Sequence, residues 1–284
     1  MSTNTQKTRS RIRRGHRISW YIAVVFSAIT VIVCLVSLVW TPYDPSAMDL
    51  PMRFALPSWS HPFGCDQFGR DILSRTMVAA QPACAVGFGA VSLGALAGSA
   101  IGVIATMGSR VMRAVLMRII DGIMAFPGIM LALMLVLVMG RGLLSALIAV
   151  SVFVLPTFAR ISYQLSLDVN QSLAVRAAQS YGCSPVRIAL CHVVPHIASA
   201  LLVQLSAAIG TAMLLEAALS FLGLGIQPPL ASWGTMLSES FTYVILHPHI
   251  AVAPGCALLG SVLGFNMLGD VISDVLTQRG NHAA

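Results

Sequence analysis

Charge is scarce in this chain of 284 residues, where only 10% are Asp, Glu, Lys or Arg and 57% are hydrophobic. Ordinary soluble domains carry about 25% charged residues, so one water-facing core cannot absorb this composition and lipid must be the solvent. Lysine occurs once, at Lys7. A phosphate-cradling loop ending in Gly-Lys-Ser or Gly-Lys-Thr is therefore absent, and with it nucleotide hydrolysis by that motif. The cysteines, Cys34, Cys65, Cys84, Cys183, Cys191 and Cys256, are scattered and never fall in a CxxC spacing. No CxxC spacing suggests a metal, and with Cys34, Cys84 and Cys256 inside apolar runs, Cys183 and Cys191 together in an inner connection and only Cys65 in an outer one, no disulfide framework is expected. No catalytic constellation, cofactor motif or metal-ligand set emerges.

What the chain has in quantity is long uncharged runs. A helix needs roughly 20 apolar residues to cross about 30 Å of hydrocarbon. Six runs qualify: 18–40, 82–107, 122–140, 142–159, 197–215 and 250–269. They predict an all-α integral membrane protein of six transmembrane helices. The third run is fenced by Asp121 and Arg141, and the fourth stops at Arg160. The fifth meets its first charge at Glu216, and the sixth ends before Asp270. Gly and Pro inside these runs are tolerated where packed neighbours satisfy the backbone.

Arginines set the expected orientation, because short loops on the cytoplasmic side retain positive charge. The arm 1–17 carries Lys7, Arg9, Arg11, Arg13, Arg14 and Arg17 and should stay inside. Both termini are then cytoplasmic, and Arg110, Arg113, Arg118, Arg160, Arg176, Arg187 and Arg279 fall on the same side. Only Arg53, Arg70, Arg75 and Arg141 face outward. The net charge of +7 is thus a membrane-surface asymmetry and does not point to nucleic acid. The first run is too long for a secretion signal and Leu38-Val39-Trp40 offers no small-residue cleavage site, so it reads as an uncleaved anchor.

Between the spans lie two long outer connections, 41–81 and 221–249, and a short tail, 271–284. The second connection opens on Phe221-Leu222-Gly223-Leu224-Gly225, an apolar start suited to a segment folded back on the bundle. The remainder, 82–270, forms a five-helix core. Within its first helix Gly94, Gly98 and Gly102 recur every four residues, which predicts close helix packing along one face.

The inner connection 160–196 is too long for a turn. Residues 173–181 read as a short helix closed by Gly182 and followed by Pro185, the order expected of a helix stop. Its small residues Ala174, Ala177 and Ala178, flanked by Val175 and Tyr181, suit a surface that lies in another protein's groove.

The spacing Arg176-Ala177-Ala178, three residues, Gly182, then nine residues before His192-Val193-Val194-Pro195, resembles the EAA loop of binding-protein-dependent permeases in the ATP-binding-cassette importer family. Four further stretches agree in order: 61–71 (HPFGCDQFGRD), 125–127 (AFP), 215–225 (LEAALSFLGLG) and 265–270 (FNMLGD). Together they resemble the dipeptide, oligopeptide and nickel subfamily. The resemblance implies the type I importer permease fold and a place in the bacterial inner membrane. It also implies a second homologous permease subunit, two cytoplasmic ATPase subunits and an external solute-binding protein. It assigns Ala174, Arg176, Ala177, Ala178, Tyr181 and Gly182 to the coupling helix that docks on the ATPase. Where the family's triplet begins with glutamate, this chain has Arg176, so the acidic contact is missing or reversed.

Glu216 sits at the end of a span, where a charge needs water, a partner subunit or an internal bond. It reads either as a residue at the outer mouth of the pathway or as a structural partner for backbone or Arg141. Met130 and Met134, four apart, suit packing, the pathway or the partner permease better than soft-metal ligation. His247 and His249 alone do not close a metal site. An ion-coupled secondary transporter would need midplane ionisable residues and broken helices, which the sequence does not display clearly. A membrane scaffold that moves nothing is the third reading. Among substrates, short peptides rank ahead of nickel or a metallophore, with Ile226-Gln227-Pro228-Pro229 nearer the peptide branch.

Overall fold

The computed structural model describes the backbone of residues 2–282 and the side chains of residues 20–274. The charges of the basic arm 1–17, and Arg279, lie outside the described side chains. Among the described residues the main elements are all helices, in the order α1 (Ser2–Ser37), α2 (Ile72–Met107), α3 (Arg110–Met124), α4 (Gly128–Met139), α5 (Leu143–Asn170), α6 (Leu173–Ser180), α7 (Pro185–Phe221), α8 (Trp233–Phe241) and α9 (His249–His282). Five of these are long and apolar enough to cross a membrane, and α3 with α4 makes a sixth candidate.

At the centre α2 runs against α5. Added β-carbons at Gly94, Gly98 and Gly102 would overlap the carbonyl oxygens of Ser151, Leu155 and Ala159 respectively. Lipid removes the hydrophobic drive between helices, so close backbone approach and dense packing must hold them together. Beside this pair, α7 and α9 complete the core, where Met213, Leu219 and Phe265 join Phe158 of α5. Helix α1 lies on α9, where Thr30 and Ser261 share a hydrogen bond of 2.8 Å.

Several span boundaries differ from the sequence reading. Helix α2 starts at Ile72, ten residues before the expected 82, because Arg75 is matched by acidic partners and no longer bars the helix. Pro82 is accommodated inside it, and the helix widens to a π turn at Ala85–Ala90. The expected third span 122–140 is not one helix: α3 and α4 meet at 92° across Ala125-Phe126-Pro127. Proline lacks the amide needed to continue α3 and serves as the N-cap of α4. Helix α5 passes Arg160, whose guanidinium is 2.6 Å from Asp121, and reaches Asn170. Likewise α7 passes Glu216 and stops at Phe221. The connection 160–196 is therefore mostly helix, broken only around α6.

Candidate functional site

Helix α6 is a short rod fixed at both ends by local chemistry. Ser172 caps its start, accepting the Val175 N–H at 3.4 Å. At its end the Gly182 N–H donates to Gln179 O at 2.9 Å and the Cys183 N–H to Ala178 O at 3.1 Å. That pair of bonds is a Schellman stop, and it needs the left-handed φ of +74° that Gly182 supplies.

The two faces of α6 have different surroundings. Val175 and Ala178 turn inward to a small core with Val103, Val169, Ile188, Val193 and Ile197, which joins the ends of α2, α5 and α7. Ala174, Arg176, Ala177, Tyr181 and Gly182 remain exposed, with Tyr181 at 89% and Leu173 at 84%. Ala178 thus departs from its expected place on the docking surface, because it lies one turn after Val175 on the inner face. Leu173 takes its place on the outside; its position just after the cap could have identified it. Behind α6 lies a cleft of about 360 Å³, lined by Thr106, Met107, Asn170, Gln179, Cys183, Pro185 and Ile188.

At the opposite end of the bundle the stretch 61–71 forms a compact knot. Gly64 and Gly69 both take φ of +75°, and β-carbons there would strike Ala55 O and Asp49 O. Asp66 accepts the backbone N–H groups of Phe68 at 2.8 Å and Arg70 at 3.0 Å, and its other oxygen meets Arg70 Nε at 2.6 Å. Asp71 caps α2 through the Ser74 N–H at 2.8 Å and holds His61 at 2.9 Å. Glu239, from α8, joins this knot by accepting from Arg70, Arg75 and Gln67. Sequence reasoning missed Glu239, which no motif marked. Among these acids Cys65 is wholly buried, and its thiol is pushed up to about 11 by burial first and then by Asp71, Asp66 and Asp49.

Glu216 is also fully buried. Its Oε1 accepts the Ser220 hydroxyl at 2.7 Å, and Ser220 Oγ in turn accepts the Ile226 N–H at 3.1 Å. The carboxylate therefore bonds within its own helix, and only through Ser220 to the segment that follows it; it does not pair with Arg141. Gly234 presses on the Ala217 backbone and Trp233 donates its indole N–H to Thr76 O at 3.0 Å, so α8 links α7 to α2. Met130 and Met134 are exposed on α4, while Ala132 and Val136 face inward. His247 stacks on Phe54 with ring centroids 4.1 Å apart. Among the described residues, no three His, Cys, Asp or Glu side chains are grouped to hold a metal. Two surface depressions, of about 190 and 170 Å³, share Phe153 and Thr157, and the second also presents Gln204 and Thr211.

The bundle of spans thus carries a short rod at one end and a charged knot at the other. Residues 94–281 match the family of binding-protein-dependent transport system inner membrane components. The chain belongs to that family. The glutathione transport system permease protein GsiD of Escherichia coli O6:K15:H31 (strain 536 / UPEC) is 39% identical over 270 residues, covering 95% of this chain and 88% of that protein. GsiD of Shigella boydii serotype 4 (strain Sb227) gives the same identity and coverage. This chain is thus an ATP-binding-cassette importer permease of the peptide and nickel subfamily, with the type I permease fold, built to work with ATPase and binding-protein subunits. Permeases of this family are transport components, and several apolar helices make this one a multi-pass protein of the bacterial inner membrane.

Proposed function

We propose that this permease moves short peptides inward, receiving them from an external solute-binding protein and drawing energy from two ATPase subunits docked at α6. The observation that carries the docking reading is the division of α6 into an anchored face and an exposed one. A rod whose Val175 and Ala178 join the ends of three helices would pass any displacement of Leu173, Arg176 or Tyr181 directly to those helices. Arg176, at the place of the family's glutamate, would select an ATPase with a complementary acidic surface.

The peptide reading draws support from the relatedness to GsiD, whose named cargo, glutathione, is itself a short peptide. The wall formed by Thr157, Gln204 and Thr211 suits it, since hydroxyl and amide groups can exchange hydrogen bonds with peptide units without fixing side-chain identity. Met130 and Met134 would face the pathway or a second, homologous permease in a heterodimer. ATP-driven closure of the ATPases would swing the helices between inward-facing and outward-facing states that ligand and partners favour differently. The α6 end and both termini would be cytoplasmic.

Reconstitution with the cognate ATPases and binding protein tests this reading. ATP-dependent accumulation of labelled di- and tripeptides, competed by glutathione or other short peptides, is the expected result. Accumulation of nickel or a metallophore but not peptide would overturn the substrate. Uptake driven by an ion gradient without ATP would overturn the mechanism.

A further inference from the structure

We propose that α3 lies in the plane of the membrane as an anionic-lipid-binding helix, with Val111, Val115 and Ile119 in hydrocarbon and Arg110 and Arg118 on lipid phosphates. Its direction is the first ground. Helix α4 runs beside α5, where a β-carbon on Gly128 would strike the Phe153 ring, and α3 meets α4 at 92°. With 12 residues α4 is too short to span alone, but it packs along the spanning helix α5, and a helix perpendicular to it runs in the plane of the bilayer. It also lies at the α6 end, because it follows directly on Met107, which lines the cleft behind α6.

The second ground is that α3 has three distinct sectors. One faces the bundle: Ile120 is buried there, and Arg113 donates its Nε–H to Ala105 O at 3.3 Å. A second is apolar and uncovered, with Val111 72% exposed, Val115 53% and Ile119 55%. The third is polar, with Arg110, Arg118 and Asp121 projecting together on a 100°-per-residue wheel. Asp121 ties this sector to Arg160 of α5 at 2.6 Å.

Water would leave the apolar stripe exposed at a cost, and a wholly buried position would strand the arginines. A leaflet presents hydrocarbon and phosphate at successive depths, which is the order in which α3 presents its two free sectors. Basic amphipathic helices bind membrane surfaces by this combination of apolar burial and attraction to anionic headgroups. A second permease covering the stripe would have to offer both chemistries on adjoining faces.

Spin labelling of Val115→Cys in the assembled transporter decides the location, with Cys183, Cys191 and Cys256 replaced by serine and nanodiscs of phosphatidylcholine and phosphatidylglycerol. The nitroxide should relax strongly with oxygen and weakly with a water-soluble nickel chelate. Preference for the nickel chelate would place the stripe in water, and insensitivity to both would place it against protein; either overturns the proposal. Native mass spectrometry then tests the arginines. The double variant Arg110→Gln/Arg118→Gln should retain phosphatidylglycerol roughly 10-fold less than the parent while holding the same amount of phosphatidylcholine. Equal retention of phosphatidylglycerol would overturn the phosphate assignment.

Discussion

Arg70 and Glu239 stand 169 positions apart in sequence, yet Arg70 Nη2 lies 2.7 Å from Glu239 Oε2. This bond fastens α8 to the knot that begins α2. Glu239 also lies 3.1 Å from Arg75, and Asp66 completes the neutralisation of the two guanidiniums.

Breaking this group should cost more at the buried acid than at the accessible one. Asp66 is nearly buried and accepts two backbone N–H groups as well, whereas the Glu239 side chain keeps 27% of its exposure. Removing one partner of a buried pair costs about 3–5 kcal/mol, so Asp66→Ala should approach that range and Glu239→Ala fall to roughly 2 kcal/mol. Thermal unfolding followed in nanodiscs checks the order. A larger loss for Glu239→Ala would mean that the network is centred on α8.

Close approach of α2 and α5 makes a second prediction. Gly98→Leu must displace the Leu155 backbone, and overpacking of this kind costs about 1–3 kcal/mol. Gly122→Ala meets nothing within 4 Å and should hold or slightly raise stability, by about 0.5–1 kcal/mol. Membrane abundance and thermal midpoint should separate the two variants clearly.

Two faces on one short helix predict two classes of α6 variant. Tyr181→Ala removes an exposed side chain and should reduce ATPase pull-down while leaving resistance to proteolysis unchanged. Ala178→Leu crowds the small core beneath α6 and should increase proteolysis near Gly182 as well as weaken pull-down. Gly182→Val, forced to keep φ of +74°, should cost roughly 1–2 kcal/mol locally and lower uptake and substrate-stimulated ATP hydrolysis together at normal abundance. Normal pull-down and uptake in all three variants would remove α6 from the coupling path.

Cys65 should resist thiol reagents. Its folded pKa of about 11 lies above the ordinary 9.0, so thiolate is scarce at pH 7 and its fraction rises about tenfold per pH unit towards 11. Complete burial slows attack further. Orientation is therefore better read from Ser58→Cys, at an exposed position, against the exposed Cys191. In intact cells or spheroplasts an impermeant maleimide should label the Ser58→Cys variant and spare Cys191; the reverse pattern would invert the topology.

Much of the architecture was legible because it depends on local composition. Uncharged runs longer than the bilayer is thick marked five of the spans, although the run 122–140 breaks at Pro127, and the Gly182 stop of α6 follows from the glycine itself. Small residues at Gly94, Gly98 and Gly102 likewise announced a close helix contact, although not that α5 would be its partner. Legibility failed at charges. Arg160 and Glu216 each looked like a fence between segments, and Arg75 fell in the connection 41–81, but a charge ends a helix only while it needs water.

The sequence by itself determined the membrane class, the alternation of apolar runs with arginine-bearing connections, and a short capped helix between the fourth and fifth runs. All three rest on interactions within a few residues or with the solvent. Tertiary structure alone decided that Ala178 faces inward, that Cys65 is sealed among carboxylates and that α2 begins ahead of Arg75. It also decided that α3 turns 92° from α4 and brings Asp121 to Arg160. Several of those outcomes depend on partners far along the chain, such as Glu239, 164 positions from Arg75. Such a partner changes the cost of burying a charge, and no local pattern encodes where it will be.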